Sequence, residues 1–187
     1  MKNRFTKINI IICLALGFAV SACWAQNAGK HKFVGVKKCS MCHKGEKNGT
    51  VFEKWLSSSH AKAFQTLSSA QSEKIAKEKG LNTPANQSKE CLECHATAYG
   101  IDTSNIVENS KLEISDGVQC EDCHGAAGDY IIIHAKKGNK DKAIENGMIL
   151  SSDEKFCTKC HNKKSPTFKA FNFKEATAKI AHSLPKN

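Results

Sequence analysis

Arginine is almost missing from this chain: Arg4 is the only one in 187 residues, against a formal charge of +10. Proteins that read nucleic acids use arginine forks for phosphates and bases, so the lysine excess does not argue for a nucleic-acid partner. Aromatic residues are also scarce, at 7%, a thin supply of large apolar side chains for a core of this size. The three prolines and twelve glycines form no linker between two halves, and no apolar run reaches the ~20 residues of a spanning helix. Disorder is not implied either, because charged residues make up an average 25%. A small globular protein is expected, with covalent or cofactor support for its core.

The N-terminus reads as an export signal. Lys2, Arg4 and Lys7 precede an apolar run from Ile8 to Val20, and small residues lead to Cys23-Trp24-Ala25. This is the order of a secretory signal peptide, residues 1–25, cleaved ahead of one domain spanning 26–187. Val20-Ser21-Ala22-Cys23 also matches a lipobox, in which Cys23 would become the lipidated first residue. Both readings place the mature chain in the periplasm or otherwise outside the cytoplasm. Membrane attachment is expected only if Cys23 is lipidated.

Ten cysteines are present, and Cys13 and Cys23 lie in the leader. The other eight form one pattern four times: Cys39-Ser40-Met41-Cys42-His43, Cys91-Leu92-Glu93-Cys94-His95, Cys120-Glu121-Asp122-Cys123-His124 and Cys157-Thr158-Lys159-Cys160-His161. C-x-x-C-H is the attachment motif of c-type haem. Two intervening residues make about one turn, so both sulfurs reach the vinyl edge of one porphyrin, and the histidine swings beneath the ring to ligate iron. Zinc would not need a histidine after every pair, a disulfide across C-x-x-C is typical of redox enzymes and is not expected four times in one chain, and iron–sulfur clusters use other spacings. Four covalently bound haem c groups are therefore expected, serving as core where aromatics are few. Loss of Lys2, Arg4 and Lys7 with the leader lowers the charge from +10 to +7. Each oxidised haem contributes about −1 through its propionates, leaving a modest lysine excess.

The fold class expected is mainly α, a small multihaem c-type cytochrome with little β structure and four haems as its core. Val51 to Lys79 reads as one helix, with Phe52, Trp55, Leu56, Ala63, Phe64 and Leu67 on a stripe and Gly80 and Pro84 ending it. Ser88 starts a short helix for the second motif, and Ser151 to Glu154 reads as a capping box before the fourth. Ile101 to Gly117 reads as loop with a short strand at Lys111 to Ile114, and Lys174 to Leu184 as a last helix.

Four histidines lie outside the motifs: His31, His60, His134 and His182. Four irons need sixth ligands, so spare histidines are better read as ligands than as surface residues. His60 falls near the apolar stripe, His134 follows Tyr130-Ile131-Ile132-Ile133, and His182 neighbours Ile180. His31 belongs to a polar tail and is the weakest candidate. Met148 is the other soft ligand available.

The chain resembles the tetrahaem cytochrome c-554 family, first known as electron acceptors of hydroxylamine oxidation. The resemblance rests on Val34 through Lys44, Trp55 through Ala63 with His60, Gly117 through Gly125, and Phe171 through His182. It implies that His134 ligates the first haem opposite His43, His182 the third opposite His124, and His60 the fourth opposite His161. The second haem, on His95, would be open or labile, with haems stacked in close pairs. The stretches after the third motif are shorter than in that family, and the loop lining its open haem has no clear match.

Electron transfer is the leading function. Bis-histidine haems are saturated and pass electrons without binding substrate. A lysine-rich surface suits acidic redox partner proteins, such as a multihaem oxidoreductase or a membrane quinone-linked cytochrome. The alternative is a small-molecule redox enzyme, with nitric oxide as the example the resemblance suggests, acting at the haem on Cys91, Cys94 and His95. No motif has lysine in place of its histidine, as multihaem nitrite reductases do. Thr97 and Tyr99 follow the second motif closely and read as packing residues.

Overall fold

Each C-x-x-C-H motif is short and polar, and each nucleates only one turn or two of helix. The computed structural model describes residues 31–150 and 153–182, and the leader readings, including the apolar run and Cys23, lie outside them. Among the described residues the architecture is mainly helical with no strands, and these residues belong to one unit beginning at His31. The helices are α1 (Val36–His43), α2 (Val51–Ser57), α3 (Ala63–Thr66), α4 (Ala70–Glu78), α5 (Lys89–His95), α6 (Cys120–His124), α7 (Lys140–Glu145), α8 (Glu154–Cys157) and α9 (Phe173–Ile180). Short 3₁₀ turns fill several of the connections.

The expected single helix over 51–79 is three helices instead. Ser58 is extended after α2, and the backbone between α2 and α3 is spent on other partners: the His60 carbonyl accepts from the Val118 N–H at 3.0 Å as well as from Ala63. Ser69 then caps α4, its hydroxyl accepting from the Ser72 N–H. Serines compete for backbone hydrogen bonds and so break a helix where tertiary contacts reward the break. Leu56, placed on the buried stripe by periodicity, is consequently exposed. Gly80 closes α4 with φ 69°, where the Leu81 N–H reaches back to the Ala76 carbonyl.

Ser88 stands at the start of α5 as expected, although its hydroxyl donates to the Thr83 and Pro84 carbonyls rather than capping. The strand expected at 111–114 does not form. Glu113 is tied instead to Lys37 and to the Gln119 side chain, and Ile114–Asp116 is a 3₁₀ turn. An isolated parallel bridge joins Phe33 to Ile106. Asp153 caps α8 through the Phe156 N–H, while Ser151 of the expected capping box lies outside the described residues. Helix α9 stops at Ile180, so His182 follows the helix rather than riding on it; Leu184 lies outside the described residues.

The buried apolar residues are small. One cluster holds Leu67, Ala76, Ala85, Leu92 and Ala96; a second holds Val34, Ala127, Tyr130 and Ala143. No phenylalanine or tryptophan is among the buried core residues described.

Candidate haem-binding site

The motifs sit on helical turns, which sets the sulfurs. Cys39 and Cys42 lie on α1, Cys91 and Cys94 on α5, and Cys120 and Cys123 on α6. Residues three apart share a helix face, so both sulfurs of a motif point the same way. Cys157 ends α8, and a turn continues to His161, whose N–H donates to the Cys157 carbonyl at 3.0 Å. Sulfurs of different motifs also meet. Cys39 and Cys120 share a hydrogen bond, which pushes the Cys39 thiol up and draws Cys120 down. Burial, with Cys94 beside it, pushes the Cys160 thiol up to about 12.

Three motif histidines each face a histidine from far along the chain. The rings of His43 and His134 lie 5.9 Å apart, nearly parallel at 14°. His124 and His182 are 5.9 Å apart at 66°. His60 and His161 are 6.0 Å apart at 62°. These are the couples that the resemblance implies. An iron ligated by two imidazoles holds their ring centres about 6 Å apart, since each metal–nitrogen bond is about 2 Å and each ring centre lies about 1 Å beyond its nitrogen. The donor set therefore fits haem iron.

The ring nitrogens are arranged to match. Carbonyl oxygens only accept, so the His124 Nδ1 that meets the Ile149 carbonyl at 2.7 Å carries its proton, leaving Nε2 as the ligating atom. His95 Nδ1 donates likewise to the Ala63 carbonyl at 2.8 Å, His134 to Tyr130 and His182 to Ile180. His43 Nδ1 is buried without a hydrogen-bond partner. Burial, and then the neighbouring His134, His124 and His182, push the His43 imidazole below its ordinary value; burial and His161 do the same to His60. Both are thereby held neutral, the form that binds metal. His161 also stacks on Phe171 at 4.9 Å, beside a cavity of about 260 Å³.

His95 differs. Among the described residues no histidine ring faces it. His31 is not the loose tail residue expected: its side chain is only 16% exposed, bonds Asp129 at 2.6 Å and lies against Gly147. Met148 packs on the Val34–Tyr130 cluster.

A buried polar net that sequence reasoning missed joins these motifs. Glu121, inside the third motif, is 3% exposed. Its carboxylate accepts from the N–H groups of Val34, Gly35 and Ala127 at 2.8–3.0 Å. Gln119, 2% exposed, accepts from the Val36 N–H at 2.8 Å. Thr97, two residues past His95, donates to Asp122 and accepts from the Gln119 N–H. Thr97 thus does more than pack, whereas Tyr99 packs against the Leu67 cluster. Trp55 Nε1 donates to the Val118 carbonyl at 2.8 Å.

A family profile for cytochrome c554 and c-prime matches residues 38–125, the first three motifs. Cytochrome c-554 of Nitrosomonas europaea is 31% identical over 169 residues, covering 80% of this chain and 68% of the relative. This chain belongs to the cytochrome c-554 family. It is accordingly a c-type cytochrome, an electron carrier with covalently bound haem that works with redox partner proteins. No solved structure matches it. No described helix is long and apolar enough to cross a membrane.

Proposed function

We propose that this cytochrome is exported, carries four haems, and passes electrons between extracytoplasmic partner proteins. The observation that carries the reading is the set of three histidine couples with ring centres 5.9–6.0 Å apart, each joining a motif to a distant segment. Thioethers from Cys39 and Cys42, Cys91 and Cys94, Cys120 and Cys123, and Cys157 and Cys160 hold the porphyrins. His43 with His134, His124 with His182 and His161 with His60 ligate three irons, and His95 ligates the fourth alone. The haems supply one-electron chemistry at ligand-tuned potentials. The protein orients the imidazoles of His95, His124, His134 and His182 through their Nδ1 hydrogen bonds and offers lysines to an acidic partner.

A second reading attaches to His95. With no histidine facing it, its iron has a position for a small ligand, and redox chemistry on a small nitrogen species would take place there. EPR of the oxidised protein separates the roles. Three low-spin irons and one high-spin iron are expected. Four low-spin irons would remove the enzymatic reading and leave the carrier; fewer than four irons would overturn the haem count.

A further inference from the structure

Helix α1 has two faces with different tasks. At about 100° per residue, Cys39, Cys42 and His43 fall on one side, and Lys37 and Met41, four apart, fall on the opposite side. Met41 is 75% exposed, the most exposed of the large apolar side chains described. It lines a groove of about 200 Å³ with Lys37, Lys38, Asn109 and Lys111. Lys37 reaches Glu113 at 3.0 Å, and Glu113 also feels Lys111. The lysines at this groove thus meet Glu113 and the half-buried Asp116, leaving positive charge in excess.

The geometry points to this groove as the docking port for an acidic electron-transfer protein, with the first haem as the point of entry or exit. The inference rests on the carrier reading above. An apolar centre with a charged rim is the anatomy of a specific, transient protein contact. A partner seated on Lys37 and Met41 lies one helix diameter, about 10 Å, from the ring held by the other face of α1. A lone thioether in a shallow groove offers little to insert into a bilayer, where several aromatic or aliphatic side chains are needed. Surface lysines steer acidic proteins by long-range attraction, and reversing two of them slows encounter most at low salt.

The test uses the haem-loaded protein and an acidic flavodoxin, reduced to its hydroquinone, as electron donor in stopped flow. Lys38→Glu with Lys111→Glu should slow the second-order rate roughly tenfold at low ionic strength and remove most of its salt dependence. Met41→Glu should slow it by a similar factor. The control pair Lys77→Glu with Lys79→Glu, at the far end of α4, should change it less than about twofold. Equal loss in the control, or no loss in the Lys38/Lys111 pair, would overturn the port. So would binding to phosphatidylglycerol vesicles that the Lys38/Lys111 pair abolishes while the flavodoxin rate stays unchanged, which would make the groove a membrane contact. A wild-type protein that flavodoxin cannot reduce at any salt would instead sink the carrier reading itself.

Discussion

Carboxylates are almost never fully buried unless paired, and Glu121, between the two cysteines of the third motif, is buried. It ties the chain ahead of the first motif to the chain after the third by accepting three backbone hydrogen bonds. Glu121→Ala leaves three buried N–H groups unpaired and should cost about 3–5 kcal/mol in thermal or denaturant unfolding. Burial pushes its carboxyl above the ordinary 4.5 while the three N–H donors pull it down, with burial the larger effect. An acid raised by folding contributes stability that is complete below its unfolded value and is lost as pH rises through its folded value. The stability of the wild type relative to Glu121→Gln should therefore be greatest below about pH 4 and smaller at pH 7, read as a difference in melting temperature. The distal ligands make a separate forecast: His182→Ala should convert one low-spin haem to high-spin in EPR and raise its potential, because a nitrogen donor is lost. The motif residues could be read from spacing alone. Glu121 could not, because its burial depends on residues 34, 35 and 127 closing over it. Nor could spacing say which distal histidine meets which motif, since the couples join residues 58 to 101 positions apart; that pairing came from the family resemblance.

From Gly117 to Gln119 a short connecting segment serves several helices at once. Gly117 accepts from the Thr97 N–H, Val118 binds the His60 carbonyl and the Trp55 indole, and Gln119 holds Val36. Gly117 has φ 68°, and a Cβ there would stand 2.6 Å from the His60 carbonyl oxygen. Gly117→Ala should destabilise the protein by about 2–4 kcal/mol and raise the high-spin fraction of the haem on His161, because His60 is displaced. Retained low-spin iron with an unchanged melting temperature would refute this. The same segment explains why helical periodicity failed over 51–79. The apolar stripe was correct in placing Leu67 inside, but Val118 takes the His60 backbone at the point where a continuous helix would have needed it. Periodicity reports the average face of a segment and is blind to a hydrogen-bond partner sixty residues away.

At the scale of the molecule, two small apolar clusters are buried among the described residues, and six of the eleven buried apolar residues described are alanine. Side chains of that size cannot offset the ordering cost of more than 150 residues. The apoprotein should therefore lack cooperative unfolding by far-UV circular dichroism, whereas the haem-loaded form should melt as one unit; intact mass of the latter should exceed the mature chain by roughly 2.5 kDa for four porphyrins. The smallness of the buried apolar residues was legible in composition, because aromatics make up only 7% of the chain.

The pairing of sulfurs between motifs has a consequence for biogenesis. Cys39 meets Cys120, and Cys94 meets Cys160. In an oxidising compartment, a chain that collapsed before loading would bring these thiols together and cross-link them. Such cross-links would cap a thiol in every motif and bar porphyrin attachment. The order of events is then constrained: the thiols must be kept reduced and the porphyrins attached while the chain is still open, because a haem-free collapse, without becoming a fold, would be enough to cross-link them.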